Sequence, residues 1–128
     1  MKNGGNKMKV HKSKNLLTSF KYAFQGILPA FKQERNLKIH TCFVLLVIIA
    51  GIWLKISYIE WLICILLFGV VLAAELINTA IETTVDLVTQ EIQPLAKQAK
   101  DIAAAAVLVL AITSSIIGLM IFLPKLIK

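Results

Sequence analysis

The stretch Ala74-Glu75-Leu76-Ile77-Asn78-Thr79-Ala80-Ile81-Glu82-Thr83-Thr84-Val85-Asp86 carries acids and an amide where apolar residues belong. It continues a hydrophobic run that begins at Trp61. Glu75, Asn78, Glu82 and Asp86 are three, four and four residues apart. At ~100° per residue all four fall within about 80° of one helix face. An ionisable group near the centre of a bilayer costs roughly 2.5–3.5 kcal/mol on insertion scales. A chain that keeps several such groups in one stripe is using them, and the pattern implies a membrane-embedded, metal-assisted active site.

Working outward, the 128 residues are 58% hydrophobic with a mean hydropathy of +0.78, which fits one all-α integral membrane domain. Three stretches qualify as spans. The first is 37–54, short in its uncharged part but extended by Lys38 and Lys55, which can snorkel. The second is 61–81, holding Glu75 and Asn78. The third is 102–123, which has no charge at all and no polar face to offer water. Before them, 15–33 reads as an amphipathic helix: Leu16, Leu17, Phe20, Ala23, Phe24, Ile27 and Phe31 recur on one side, with Lys21, Gln25 and Lys32 elsewhere. Such a helix suits the membrane interface, with a bend expected near Pro29. Residues 1–14 read as a disordered basic leader, and 15–128 as the single functional domain. No signal peptide is expected, since residues 1–15 are polar and basic.

Nine of the fourteen Lys and Arg fall from Lys2 to Lys38. The positive-inside rule then puts the amino end in the cytoplasm, the 55–60 turn outside and the 86–101 linker inside. The net charge of +7 is concentrated beside the first span, where it fits anionic headgroups. No helix-turn-helix, zinc or aromatic-basic pattern points to nucleic acid. Cys42 and Cys64 lack a CxxC spacing and read as buried free thiols. His11 and His40 have no neighbouring Cys or His ligand set and read as structural or interfacial. Trp53 and Trp61 flank the outer turn, as in an aromatic belt.

Depth decides what the stripe can do. Glu75 is fourteen residues past Trp61, about 21 Å along a helix, which puts it in the cytoplasmic leaflet of a ~30 Å core. Glu82 is roughly 10 Å further on, at the boundary, and Asp86 lies beyond it. Glu34 and Lys38, and Lys100 and Asp101, reach the same level. Carboxylates at this density repel unless a cation intervenes, and an all-oxygen set favours Mg²⁺ over zinc. Acids, a hard cation and a Lys at a lipid–water boundary point to phosphoryl transfer, where catalysis is mostly positioning and charge neutralisation. There is no GxxxxGK[ST] or glycine-rich cradle, so any nucleotide must be held by helix side chains. A small oligomeric cation channel is the non-enzymatic alternative. It is disfavoured because no acid lines the outer half of span two.

Taken together, Glu75-x-x-Asn78-Thr79-Ala80-Ile81-Glu82-x-x-Val85-Asp86 and Glu91-x-x-Pro94-Leu95-Ala96-Lys97-x-Ala99-Lys100-Asp101-x-Ala103-Ala104-Ala105-Ala106-Val107 closely resemble the small prokaryotic diacylglycerol kinase family. The resemblance runs from about Phe20 to the end. It implies a homotrimer in a bacterial membrane, each subunit with three transmembrane helices and one amphipathic surface helix, and sites at subunit boundaries that pass the γ-phosphate of ATP to a lipid alcohol. It further implies that Glu75 is the general base, that Glu34 and Glu82 hold Mg²⁺, and that Lys100 meets the ATP phosphates. Asn78 would support the stripe, Asp86, Glu91 and Asp101 would lie along the nucleoside, and Tyr22 would be nearby.

Lys38 and Ala104 fall on the lipid side of the family's site, beside Glu75. Two departures from the Gram-negative pattern also fall there: Asn15 stands where an Arg is usual, and Ala103-Ala104 replaces Gly-Ser. Both count against diacylglycerol. Glu34-Arg35-Asn36-x-Lys38-Ile39-His40 and Asp101-Ile102-Ala103-Ala104 resemble the Gram-positive branch, which implies undecaprenol as the acceptor, with diacylglycerol as the alternative.

Overall fold

The computed structural model describes residues 15–127. Among them the chain is helical throughout, in the order α1 (Leu16–Gln33), α2 (Arg35–Trp53), α3 (Tyr58–Val88) and α4 (Pro94–Leu126), with no strand. The basic leader 1–14, and with it His11, lies outside the described residues.

Three helices, α2, α3 and α4, are long and apolar enough to cross a membrane. At ~1.5 Å per residue, α2 with its 19 residues just matches a hydrocarbon core of ~30 Å. The 31 residues of α3 and 33 of α4 overshoot it by about 15–20 Å. The apolar stretches 61–81 and 102–123 are therefore the middles of longer rods whose polar ends project. Large apolar side chains such as Phe43, Ile49, Ile65, Leu66, Val109 and Ile116 point away from the bundle. That surface is intolerable in water and ordinary against lipid.

Each rod buries one narrow stripe. On α3 it is Cys64, Val71, Glu75 and Asn78; on α4, Ala103, Val107 and Ile121; on α2, Leu37 and Gly51. The spacings are sums of three and four, as a helical seam requires. α3 packs most extensively on α4, where Ala103 to Ala106 keep side chains short, and less on α2. At the end bearing the α2–α3 turn, Ile56, Cys64 and Ile121 form a buried cluster with Trp61, Phe68 and Phe122 around it. Gly51 is required there: a Cβ would come within 2.9 Å of the Trp61 ring. Lys55 turns the chain at φ 50°.

The start of α3 is fastened by a capping box. The Ser57 Oγ accepts from the Glu60 N–H at 3.3 Å, and the Ser57 N–H donates to Glu60 Oε2 at 2.6 Å. Lys125 Nζ, near the end of α4, reaches the same Glu60 oxygen at 3.2 Å. Ser57→Ala should therefore lower unfolding free energy by about 1 kcal/mol. An SDS titration would show it as an earlier midpoint, with activity below that midpoint unchanged.

At the opposite end, α1 and α2 are separated by a single residue. Glu34 is extended (φ −93°, ψ 115°) and its N–H still donates to the Ala30 carbonyl at 2.9 Å. Lys38 Nζ reaches back from α2 to the Lys32 carbonyl at 3.0 Å, meeting one of the carbonyls that the end of α1 leaves without a helical partner. Residues 89–93 link α3 to α4, and Pro94 opens α4, where a missing N–H is harmless.

Candidate active site

The polar stripe of α3 is graded. Glu75 is 2% exposed and Asn78 6%, Glu82 is half-buried, and Asp86 is open to solvent. Asn78 Nδ2 donates to Glu82 Oε1 at 3.0 Å, which holds one oxygen of that carboxylate. The threonines of the same segment turn their hydroxyls back to the helix: Thr79 donates to the Glu75 carbonyl at 3.0 Å, Thr83 to Thr79 at 2.8 Å and Thr84 to Ala80 at 2.7 Å. That leaves the carboxylates and the Asn78 amide as the polar groups of the stripe not spent on backbone carbonyls.

Glu34, carried by the one-residue joint between α1 and α2, comes close enough to Glu75 to interact with it electrostatically, as does Glu82. The stripe is thus joined by an acid from a different element. Carboxyl groups near one another in a low-dielectric setting repel when ionised, and a cation relieves that cost. Glu75 Oε1 and Asn78 Oδ1 are both buried with no hydrogen-bond partner. Unpaired buried acceptors of this kind await a donor or a cation.

Among the described residues, no three His, Cys, Asp or Glu stand close enough together to hold a metal ion by themselves. Mg²⁺ is normally held by one or two carboxylates with the remaining positions filled by water and substrate phosphates. A two-acid set such as Glu34 and Glu82 would suit that mode of binding and not a resident all-protein cage.

Lys100 Nζ meets Asp86 Oδ1 at 2.6 Å, joining the projecting ends of α3 and α4. Lys97 pairs with Asp101 one turn along α4. Tyr22 and Ala104 are exposed on α1 and α4, and Glu91 is exposed beyond the end of α3. Among the described residues, none of these three makes a side-chain hydrogen bond or ion pair to the stripe. Lys38 engages the α1 terminus as described.

The residue that the sequence reading undervalued is His40. Its Nε2 lies 3.1 Å from Glu75 Oε1, with the ring 20% exposed. That is contact distance between a ring nitrogen and a carboxylate oxygen that has no other polar partner. A signal was present: Leu37, His40, Val44, Val47 and Gly51 follow a 3-4-3-4 spacing, which puts His40 on the inward face of α2.

His40 also lines an apolar cavity of about 510 Å³ between α2, α3 and α4. Val44, Leu67, Val71, Ser114 and Phe122 are among its walls. Val71 is one helical turn from Glu75. The cavity is a partly open apolar groove whose walls include His40 and Val71, the near neighbours of Glu75.

Residues 21–122 match the family model described as prokaryotic diacylglycerol kinase. The chain is 52% identical over 108 residues to an undecaprenol kinase of Bacillus subtilis (strain 168), covering 84% of this chain and 88% of that one. It is 45% identical over 115 residues to a diacylglycerol kinase of Synechocystis sp., covering 89% of this chain and 66% of the relative. A diacylglycerol kinase of Escherichia coli (strain K12) is 32% identical over 95 residues, 74% and 78% of the two chains.

Proposed function

This chain belongs to the prokaryotic diacylglycerol kinase family, and from that premise we propose that it transfers the γ-phosphate of ATP to undecaprenol, giving undecaprenyl phosphate. It is a multi-pass membrane lipid kinase. The observation that carries the specific reading is a buried carboxylate, Glu75, whose neighbours His40 and Val71 line an apolar groove. A long hydrocarbon acceptor needs such an apolar surface for its chain and a proton acceptor near it. The Bacillus subtilis relative supports undecaprenol as that acceptor.

In this mechanism Glu75 takes the proton of the lipid hydroxyl, and the resulting oxygen forms the new bond to the γ-phosphorus while ADP leaves. Glu34 and Glu82 would hold Mg²⁺, which when bound neutralises charge on the triphosphate. Asn78 keeps Glu82 oriented through the 3.0 Å hydrogen bond. Lys100 exchanges Asp86 for the phosphates of the nucleotide, a change made easy because an exposed ion pair contributes little. Asp86, Glu91, Asp101 and Tyr22 are assigned to the nucleoside, and Lys38 and Ala104 to the lipid side.

The amino end is assigned to the cytoplasm, on the strength of the nine basic residues from Lys2 to Lys38. α1 is then the amphipathic surface helix, its Leu17, Phe20, Phe24 and Leu28 free to enter the headgroup boundary. A homotrimer is the proposed assembly, as the family resemblance implies, since one three-helix subunit is thin cover for a polar stripe that enters the membrane.

The test is a γ-³²P transfer assay on the purified chain with matched undecaprenol and diacylglycerol in mixed micelles. The expected result is a higher kcat/KM for undecaprenol. The reverse ranking assigns the protein to diacylglycerol phosphorylation, and no transfer to either acceptor removes the kinase reading.

A further inference from the structure

Helix α2 contributes one titratable side chain to the interior beside Glu75, and nothing in the phosphoryl-transfer scheme above uses it. His40 is fixed by its seam, with Leu37 buried three residues before it and Val44 on the cavity wall four residues after it. Its ring is largely covered, at 20% exposed, where it borders the carboxylate. It borders both the carboxylate and the cavity. The other ionisable groups that act on Glu75 are Glu34, from the α1–α2 joint, and Glu82, from α3, and both are carboxyl groups. His40 is thus the group beside Glu75 that can donate to it.

We propose that His40 is a positioning residue for Glu75: Nε2–H engages Oε1 and leaves the second carboxylate oxygen to receive the hydroxyl proton. The inference rests on Glu75 being the base. A carboxylate free to rotate between two anions spends little time in the one orientation that faces the acceptor. A donor on one oxygen restricts that rotation. The ring moves no proton to substrate; it sets where the base points, and errors of about 1 Å in such placement cost on the order of 100-fold in rate.

The test uses the full chain in detergent, with undecaprenol and labelled ATP, and compares His40→Ala, His40→Gln, Glu75→Gln and the double variant His40→Ala/Glu75→Gln. Expected for His40→Ala is a kcat about 10- to 100-fold lower, with KM for ATP held within about twofold. His40→Gln, whose amide nitrogen can reach the same oxygen, should recover most of the loss. In the Glu75→Gln background, His40→Ala should have no further effect, because residues acting as a unit are non-additive.

A wild-type kcat in His40→Ala alongside an inactive Glu75→Gln overturns the positioning role and leaves the base intact. A fully active Glu75→Gln overturns the base, and the positioning role with it. Multiplicative losses in the double variant overturn the link between the two residues. Should His40→Ala prove aggregated on size exclusion, His40→Gln against the volume-filling His40→Leu carries the same test. Gln active and Leu impaired supports the proposal, and equal rates overturn it.

Discussion

Glu75→Gln is expected to bind ATP as the parent does and to turn over about 10²- to 10⁴-fold more slowly. The substitution keeps the shape of the side chain and removes its ability to take a proton. Glu75 sits 2% exposed within the bundle, so bulk water has no easy route to replace it. The nucleotide assignments lie further along α3 and on α4, at Glu82, Asp86 and Lys100, and the loss should therefore appear in kcat and not in ATP affinity. Single-turnover transfer together with equilibrium nucleotide binding measures both quantities. Near-parental turnover would falsify the base assignment whatever the binding result.

Removing either member of the metal pair is expected to have the second largest effect. Glu34→Ala and Glu82→Ala should each raise the Mg²⁺ concentration for half-maximal rate at least about tenfold, and lower the saturated rate on the order of 100-fold through lost charge stabilisation. The two acids come from different elements, one at the α1–α2 joint and one on α3. Equal effects from both would therefore locate the ion between them. Glu60→Ala is the control: it removes the same charge at the far end of the bundle, beside Ser57 and Lys125, and should leave the Mg²⁺ titration unmoved. Unchanged titrations in Glu34→Ala and Glu82→Ala would place the metal elsewhere.

Much of the architecture is legible in the chain because lipid imposes a simple code. Uninterrupted apolar length marks α2, α3 and α4, and the 3-4-4 spacing of Glu75, Asn78, Glu82 and Asp86 marks one face of α3. Helix ends are less legible. Hydropathy reports where hydrocarbon stops and not where hydrogen bonding stops, so α3 runs on to Val88 and α4 begins at Pro94, well outside the apolar stretches. Pairings across helices are the least legible. The proximity of His40 to Glu75 depends on how α2 is rotated against α3. A lone histidine in an apolar run looks inert until that rotation is known. The Asp86–Lys100 bridge is hidden for the same reason: it spans fourteen residues and exists only because the 89–93 linker doubles the chain back.

The joint at Glu34 has a consequence for what evolution can alter. With one extended residue between two helices, there is no slack to absorb a change in length. An inserted or deleted residue in the last turn of α1 or the first of α2 would swing the carboxylate by ~100° and shift it by ~1.5 Å. Substitutions in α1 leave that geometry in place. The segment therefore tolerates a change of side chain far better than a change of length.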